Sequence, residues 1–190
     1  MSPRRSARNQ LIESAEDVFY NRGFGATGVD AVAQEAGVSK PTLYAHFSGK
    51  SELAATALRH RHGEAAAELD EWLAGVSDPG DRPLAVFAWL AHRYERKGGR
   101  GCAFLNAAAE VVDPEDPVRR AVREEKRWLR ELLTTLCAQA GTAVPELQAS
   151  QLLLLIDGVA GRVVVEGPQA AARAVADAAD AAAVLLAGAS

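Results

Sequence analysis

Cysteine is scarce in this chain. Its two cysteines, Cys102 and Cys137, share no metal-ligand spacing with each other or with a histidine. That excludes a disulfide-built secreted scaffold and a thiolate zinc site, and leaves two buried thiols as the simplest reading. Long apolar runs are also missing. No stretch approaches the ~20 uninterrupted apolar residues of a membrane span, and the start lacks the apolar h-region of a secretory signal. The expectation is a soluble cytoplasmic protein with no membrane partner. Catalytic groupings are absent as well: there is no nucleophile elbow, no phosphate-cradling glycine loop and no carboxylate pair in an acid/base setting. The four histidines, His46, His60, His62 and His92, have no assembled partners in sequence. His60 and His62 lie two positions apart on a helical pattern and so point roughly 200° away from each other, which denies them a shared ion. No enzyme, cofactor or metal is therefore expected.

An excess of positive charge is lacking too, since the net charge is -4. Taken alone, this argues against a nucleic-acid binder. The distribution reverses the inference: residues 1–62 carry eight Lys and Arg against six Asp and Glu, leaving 13 against 19 for the rest. A basic head on an acidic body is the asymmetry a nucleic-acid reader shows. Apolar residues make up 48% of the 190, enough to bury a proper core, and their spacing is helical throughout.

The stretch from Thr27 to Lys50 is the most informative. Thr27 followed by Asp30 is a capping-box variant that should start a helix at about Gly28. Val29, Val32, Ala33 and Ala36 make one buried face of that helix, and Gly37 supplies the left-handed residue that ends it. Ser39 is a second N-cap, with Pro41 in the first turn where a missing N–H costs nothing, and Leu43 and Phe47 turn inward. Lys40, Thr42, Tyr44 and His46 then face outward. A helix this short, with that outer face, needs a partner surface, and the major groove of duplex DNA fits. The competing possibility at this level is an ordinary helical hairpin.

Gly23-Phe24, Thr27, Val29, Val32-Ala33, Ala36-Gly37-Val38-Ser39, Thr42-Leu43-Tyr44, His46-Phe47 and Lys50 resemble the DNA-binding domain of TetR-family transcriptional regulators. The match runs without a gap from Leu11 to about Leu58. Its departures are Gly28, Val32 and Pro41, and Pro41 removes one N–H donor from the edge facing phosphate. The resemblance implies an all-α fold of about nine helices. A three-helix N-terminal helix-turn-helix domain spans residues 1–50, and a helical ligand-binding and dimerisation domain spans residues 51–190. It also implies that Tyr44 touches backbone phosphate. Thr27, Ser39, Pro41 and Lys50 join Lys40, Thr42, Tyr44 and His46 in the expected DNA-facing set. Arg4, Arg5 and Arg8 form a basic arm that either enters the minor groove or is a solvated tail.

Beyond the head, Leu53, Ala57, Leu58, Ala65, Leu69, Trp72 and Leu73 describe one long helix, and Gly75–Pro83 is a linker-like loop. A helix bearing Phe87, Leu90 and Tyr94 follows, then a glycine break at residues 97–101. Next comes a short helix on which Cys102, Asn106 and Glu110 share a polar stripe. That stripe either lines a cavity or bonds to neighbouring helices. Trp128 is core, pocket wall or interface. The expected effector pocket gathers Trp72, Phe87, Leu90, Tyr94, Phe104, Asn106, Glu110 and Trp128. Gly101-Cys102, Phe104, Asn106, Asp113-Pro114, Pro117 and Lys126 more loosely resemble the regulatory domain of one subset of the same family, which names no ligand. The last two helices are apolar nearly all round and rich in small residues, so a two-fold interface is expected through Leu152, Leu155, Gly158, Val159, Gly161, Arg162, Val175, Ala179 and Ala182, the alternative being the core of a monomer.

The functional expectation is a homodimeric transcriptional repressor that binds a palindromic operator in double-stranded DNA and is released by an unknown small-molecule effector. The alternative is a dimeric helical ligand-binding or adaptor protein without sequence-specific DNA binding.

Overall fold

The computed structural model describes residues 6–97 and 99–187. Among the described residues every regular element is helical: α1 (Ala7–Arg22), α2 (Val29–Glu35), α3 (Lys40–His46), α4 (Lys50–Ala74), α5 (Arg82–Lys97), α6 (Ala103–Glu110), α7 (Pro117–Gln139), α8 (Pro145–Glu166) and α9 (Ala171–Ala187). Single 3-10 turns, Pro79–Asp81 and Pro168–Ala170, precede α5 and α9.

The helices fall into two compact units whose boundary differs from the expected division at residue 50. One holds the chain through Glu64 together with Ala103–Glu125, and the other holds Ala65–Cys102 with the chain from Lys126 onward. The reason lies in the size of the head. Helices α2 and α3 have seven residues each, too few to be stable without tertiary packing. The core of Leu11, Ile12, Ala15 and Val18 from α1, Val32 and Ala33 from α2, and Leu43 and Phe47 is completed by Leu53 and Ala57 of α4. A second cluster joins Ala54 and Ala55 of α4 to Val111, Val118 and Ala121. Helices α4 and α7 thus contribute residues to both units.

The second unit is built on Leu69, Leu73, Val86, Phe87, Leu129, Leu133, Leu136 and Cys137, closed by Ala149, Leu152 and Val159 of α8 and by Ala174, Val175, Ala178 and Ala182 of α9. This corrects part of the expected two-fold interface. Leu152, Val159, Val175 and Ala182 are all buried within their own chain. Both thiols are free, Cys137 buried and Cys102 half-buried.

Helix α8 also departs from the expectation about apolar runs. By length and composition it is long and apolar enough to cross a membrane. It is not a span. Asp157 pairs with Lys126 at 2.6 Å and Arg162 pairs with Asp177 at 2.8 Å, so its apolar run is interrupted by two engaged charges.

Candidate nucleic-acid interface

Local chemistry explains the α2–turn–α3 geometry. Helix α2 ends at Glu35, with Ala36 as its C-cap. Gly37 follows at φ +67°, a conformation side-chain-bearing residues avoid, and Val38 donates its N–H back to the Ala33 carbonyl at 3.0 Å. Ser39 then caps α3, its Oγ accepting from the Thr42 N–H at 3.2 Å, with Pro41 in the first turn as expected. Leu43 and Phe47 are buried and anchor the helix to the core. Lys40, Pro41, Tyr44, Ala45 and His46 are exposed, Tyr44 at 50%.

Several of these side chains already have partners. The Lys40 ammonium lies 2.9 Å from Asp30 of α2, and that hydrogen bond and charge raise its pKa, so it stays a cation. The Thr42 hydroxyl sits 2.7 Å from Ser39 Oγ and belongs to the cap, which leaves Thr42 half-buried. Arg8, exposed at the start of α1, stacks over the Phe47 ring at 5.5 Å. Arg4 and Arg5 lie outside the described residues.

Two expected phosphate contacts are placed differently. Thr27 does not cap α2. The N-cap is Gly28, whose backbone is extended, and no side-chain cap bond forms. The Thr27 hydroxyl is buried without a hydrogen-bond partner, so in this conformation it reaches no phosphate. Lys50 opens α4, yet its Nζ lies 4.2 Å from the centre of the Phe24 ring. Burial pushes its pKa down, and Glu110 acts in the opposite sense. A cation–π contact therefore holds it in this conformation.

For Glu110 the structure shows bonding within the chain, one of the two readings of its stripe. Expected in an effector pocket, it ends α6 and accepts a hydrogen bond from the Gly25 N–H at 2.5 Å, capping the turn between α1 and α2. The paired glycines around Phe24 signal a turn needing an external acceptor, but nothing in sequence identifies one 85 residues away. At the start of α4, Glu52 likewise accepts from the Ser48 N–H at 2.6 Å, an interaction that lowers the Glu52 carboxyl pKa.

The other expected pocket residues are divided between the two units. Phe104 and Asn106 fall in the first unit with Glu110, whereas Trp72, Phe87, Leu90, Tyr94 and Trp128 fall in the second. Phe87 is fully buried in the core of the second unit, and Leu90, Tyr94 and Trp128 pack against that core. Trp72 stacks on His92 with ring centres 5.4 Å apart. It lines a cleft of about 310 Å³ with Glu68, Trp89, Arg93 and Arg96. Trp72 also lines a more open and more apolar hollow of about 590 Å³ with Val76, Leu84 and Ala88.

On α8 the outward face carries Leu147, Leu154, Gly158, Gly161 and Val165, and on α9 Ala176, Ala183 and Val184. Leu155 and Ala179 are half-buried and pack against the core. Arg162 is committed within its own chain to Glu166 and Asp177, at 3.0 and 2.8 Å.

Residues 11–57 match the family model described as bacterial regulatory proteins of the tetR family, and residues 82–179 match the tetracyclin repressor-like C-terminal domain. The chain is 52% identical over 74 residues to the transcriptional activator FasR of Mycolicibacterium smegmatis, covering 39% of this chain and 31% of FasR. It is 33% identical over 121 residues to the transcriptional repressor BdcR of Escherichia coli, covering 63% of this chain and 59% of BdcR. The crystal structure of SCO4454, a TetR-family transcriptional regulator from Streptomyces coelicolor, superposes with a TM-score of 0.87 at 30% identity, covering 96% of this chain and 89% of that one.

Proposed function

Because this chain belongs to the TetR family of bacterial transcriptional regulators, we propose that it works as a homodimeric repressor released from a palindromic operator by a small-molecule effector. It is a DNA-binding regulator and not an enzyme. Operator, effector and direction of control are our reading. The observation that carries it is the outward face of α3: Lys40, Tyr44, Ala45 and His46 stand exposed on a helix locked from beneath by Leu43 and Phe47. Such a helix can enter a major groove without rearranging its own core.

In this reading Tyr44 and Lys40 meet phosphate, Lys40 exchanging Asp30 for it. Ala45 and His46 face base edges. Arg4, Arg5 and Arg8 supply a basic arm. Thr27 and Lys50 take part only if the turn around Phe24 opens. Protein of this kind acts in the cytoplasm, where its DNA lies. Dimerisation uses the exposed apolar face of α8 and α9, which centres on Leu154, Gly158 and Gly161. An effector acts by favouring one of two positions of α4, and operator DNA must weaken that effector as much as the effector weakens DNA binding. Relatives are named both activator and repressor. Repression is favoured here by the simpler physics: an operator-bound dimer occludes the promoter without needing a polymerase contact.

The test is retardation of genomic DNA fragments, first from the chain's own upstream region, by the purified protein and by its Tyr44→Ala variant. A specific fragment should shift with the parent protein, and the variant should lose roughly tenfold or more in affinity. Retention of the shift by the variant would remove α3 from the mechanism. Failure of every fragment would favour a helical adaptor.

A further inference from the structure

Outside the α3 face, one cluster of side chains has the chemistry of a metal site. Glu16 projects from α1 with 11% of its side chain exposed, and His60 lies on α4 with its Nδ1 2.5 Å from Glu16 Oε1. Glu64, one helical turn after His60, lies on the same face, because residues four apart are neighbours on a helix. One ligand atom from each of the three falls within 4.8 Å of the other two. All three belong to the first compact unit.

We propose that Glu16, His60 and Glu64 form a binding site for one divalent cation of the zinc class per chain, tying α1 to α4. Zinc binds imidazole nitrogen and carboxylate oxygen at about 2.0–2.2 Å, which sets neighbouring ligand atoms ~3 Å apart. Glu16 and His60 must therefore part slightly from their present hydrogen bond, and Glu64 must swing in. The exposure of His60 and Glu64 permits both motions. One imidazole and two carboxylates favour zinc, nickel or cobalt over magnesium, which prefers all-oxygen shells. Water completes the coordination.

Two carboxylates and one imidazole converge at this point, and a shared cation balances the two negative charges. Arg61, the other nearby cation, stacks over the Tyr20 ring at 4.5 Å. His62 is not part of the site; it is half-buried two residues on, with Glu124 as the charge acting on it. The inference stands apart from the DNA-binding reading, since it concerns binding and stability alone.

The experiment titrates Zn²⁺ into chelator-stripped full-length protein carrying Cys102→Ser, which removes the half-buried thiol as a competing ligand. Calorimetry should show one equivalent bound per chain, with a rise in the thermal midpoint as the metal favours the folded state. His60→Ala and Glu64→Ala, both at exposed positions, should each weaken binding at least about tenfold and remove the thermal shift, whereas His62→Ala should bind as its parent does. Circular dichroism confirms that each variant is folded. Absence of one-to-one binding at micromolar zinc would overturn the proposal, as would parental affinity in the folded His60→Ala and Glu64→Ala proteins. Retarding operator DNA in parallel keeps failure of this site distinct from failure of the α3 interface.

Discussion

Replacing Leu154 with alanine tests the proposed two-fold interface and its place on α8. Leu154 is 72% exposed in the single chain, whereas Leu152, two residues earlier on the same helix, is fully buried in its own core. Burying a whole leucine side chain is worth about 1.5–3 kcal/mol, so covering the exposed part of Leu154 is worth roughly 1–2 kcal/mol. Two-fold symmetry counts that contribution twice, giving roughly 2–4 kcal/mol per dimer. With a tenfold change for each 1.4 kcal/mol, Leu154→Ala should raise the dimer dissociation constant roughly 30- to 700-fold. Folding of the chain should be little affected. Leu152→Ala should do the reverse, costing about 2–5 kcal/mol of folding stability while the folded fraction still dimerises. Sedimentation over a concentration series reads the first quantity and denaturant unfolding the second. If Leu154→Ala sediments as the parent does, or if Leu152→Ala shows the larger loss of dimer, the exposed face of α8 is not the contact surface and the argument is refuted.

Other outcomes follow from single features. Tyr44→Ala should weaken operator binding while leaving the thermal midpoint within a degree or so, because the ring is half exposed; a matching loss of stability would mean Tyr44 is structural. Gly101→Ala should destabilise the second unit by about 3 kcal/mol, since its Cβ would lie 2.6 Å from the Ala160 carbonyl oxygen and 2.7 Å from Val164 at φ +73°. A midpoint equal to that of the parent would contradict the packing described. Glu110→Ala removes the acceptor of the Gly25 N–H and should cost about 1 kcal/mol, readable as faster amide exchange at Gly25; unchanged exchange would deny the cap. The Arg162 guanidinium holds the Glu166 and Asp177 carboxyls below their usual range through hydrogen bonds and charge. Because their folded pKa values lie below the unfolded ones, the stability they contribute is present above about pH 4 and is lost as pH falls through the folded values. The thermal midpoint of the parent should therefore drop more steeply below pH 4 than that of Asp177→Asn, and parallel profiles would show that the pair contributes nothing.

Much of the head could be read from the residues because its determinants are local. A cap at Ser39, a left-handed glycine at Gly37 and inward Leu43 and Phe47 each act within four or five residues, and the structure has all of them. Thr27 misled for an instructive reason. A hydroxyl three residues before an acid satisfies the capping pattern, yet Gly28 takes the N-cap and the threonine is buried. Lys50 stands differently: a lysine at a helix start is well placed for phosphate, and in this structure its ammonium lies over the Phe24 ring. The expected pocket residues could not be told from core in sequence, because Phe87, Leu90, Tyr94 and Trp128 carry the same apolar signature whether they line a cavity or fill a core.

By itself the sequence determined the helical class, the helix-turn-helix, and which helices are too apolar to stand alone, because periodicity and capping are short-range properties of the chain. Only the tertiary structure decided that Glu110 caps the Gly25 turn, that Glu16 meets His60, and that Leu152 faces inward where Leu154 faces out. These pairings join residues far apart in the chain, or depend on how one nearly uniformly apolar helix is rotated. Only the packing of helix against helix selects among such alternatives.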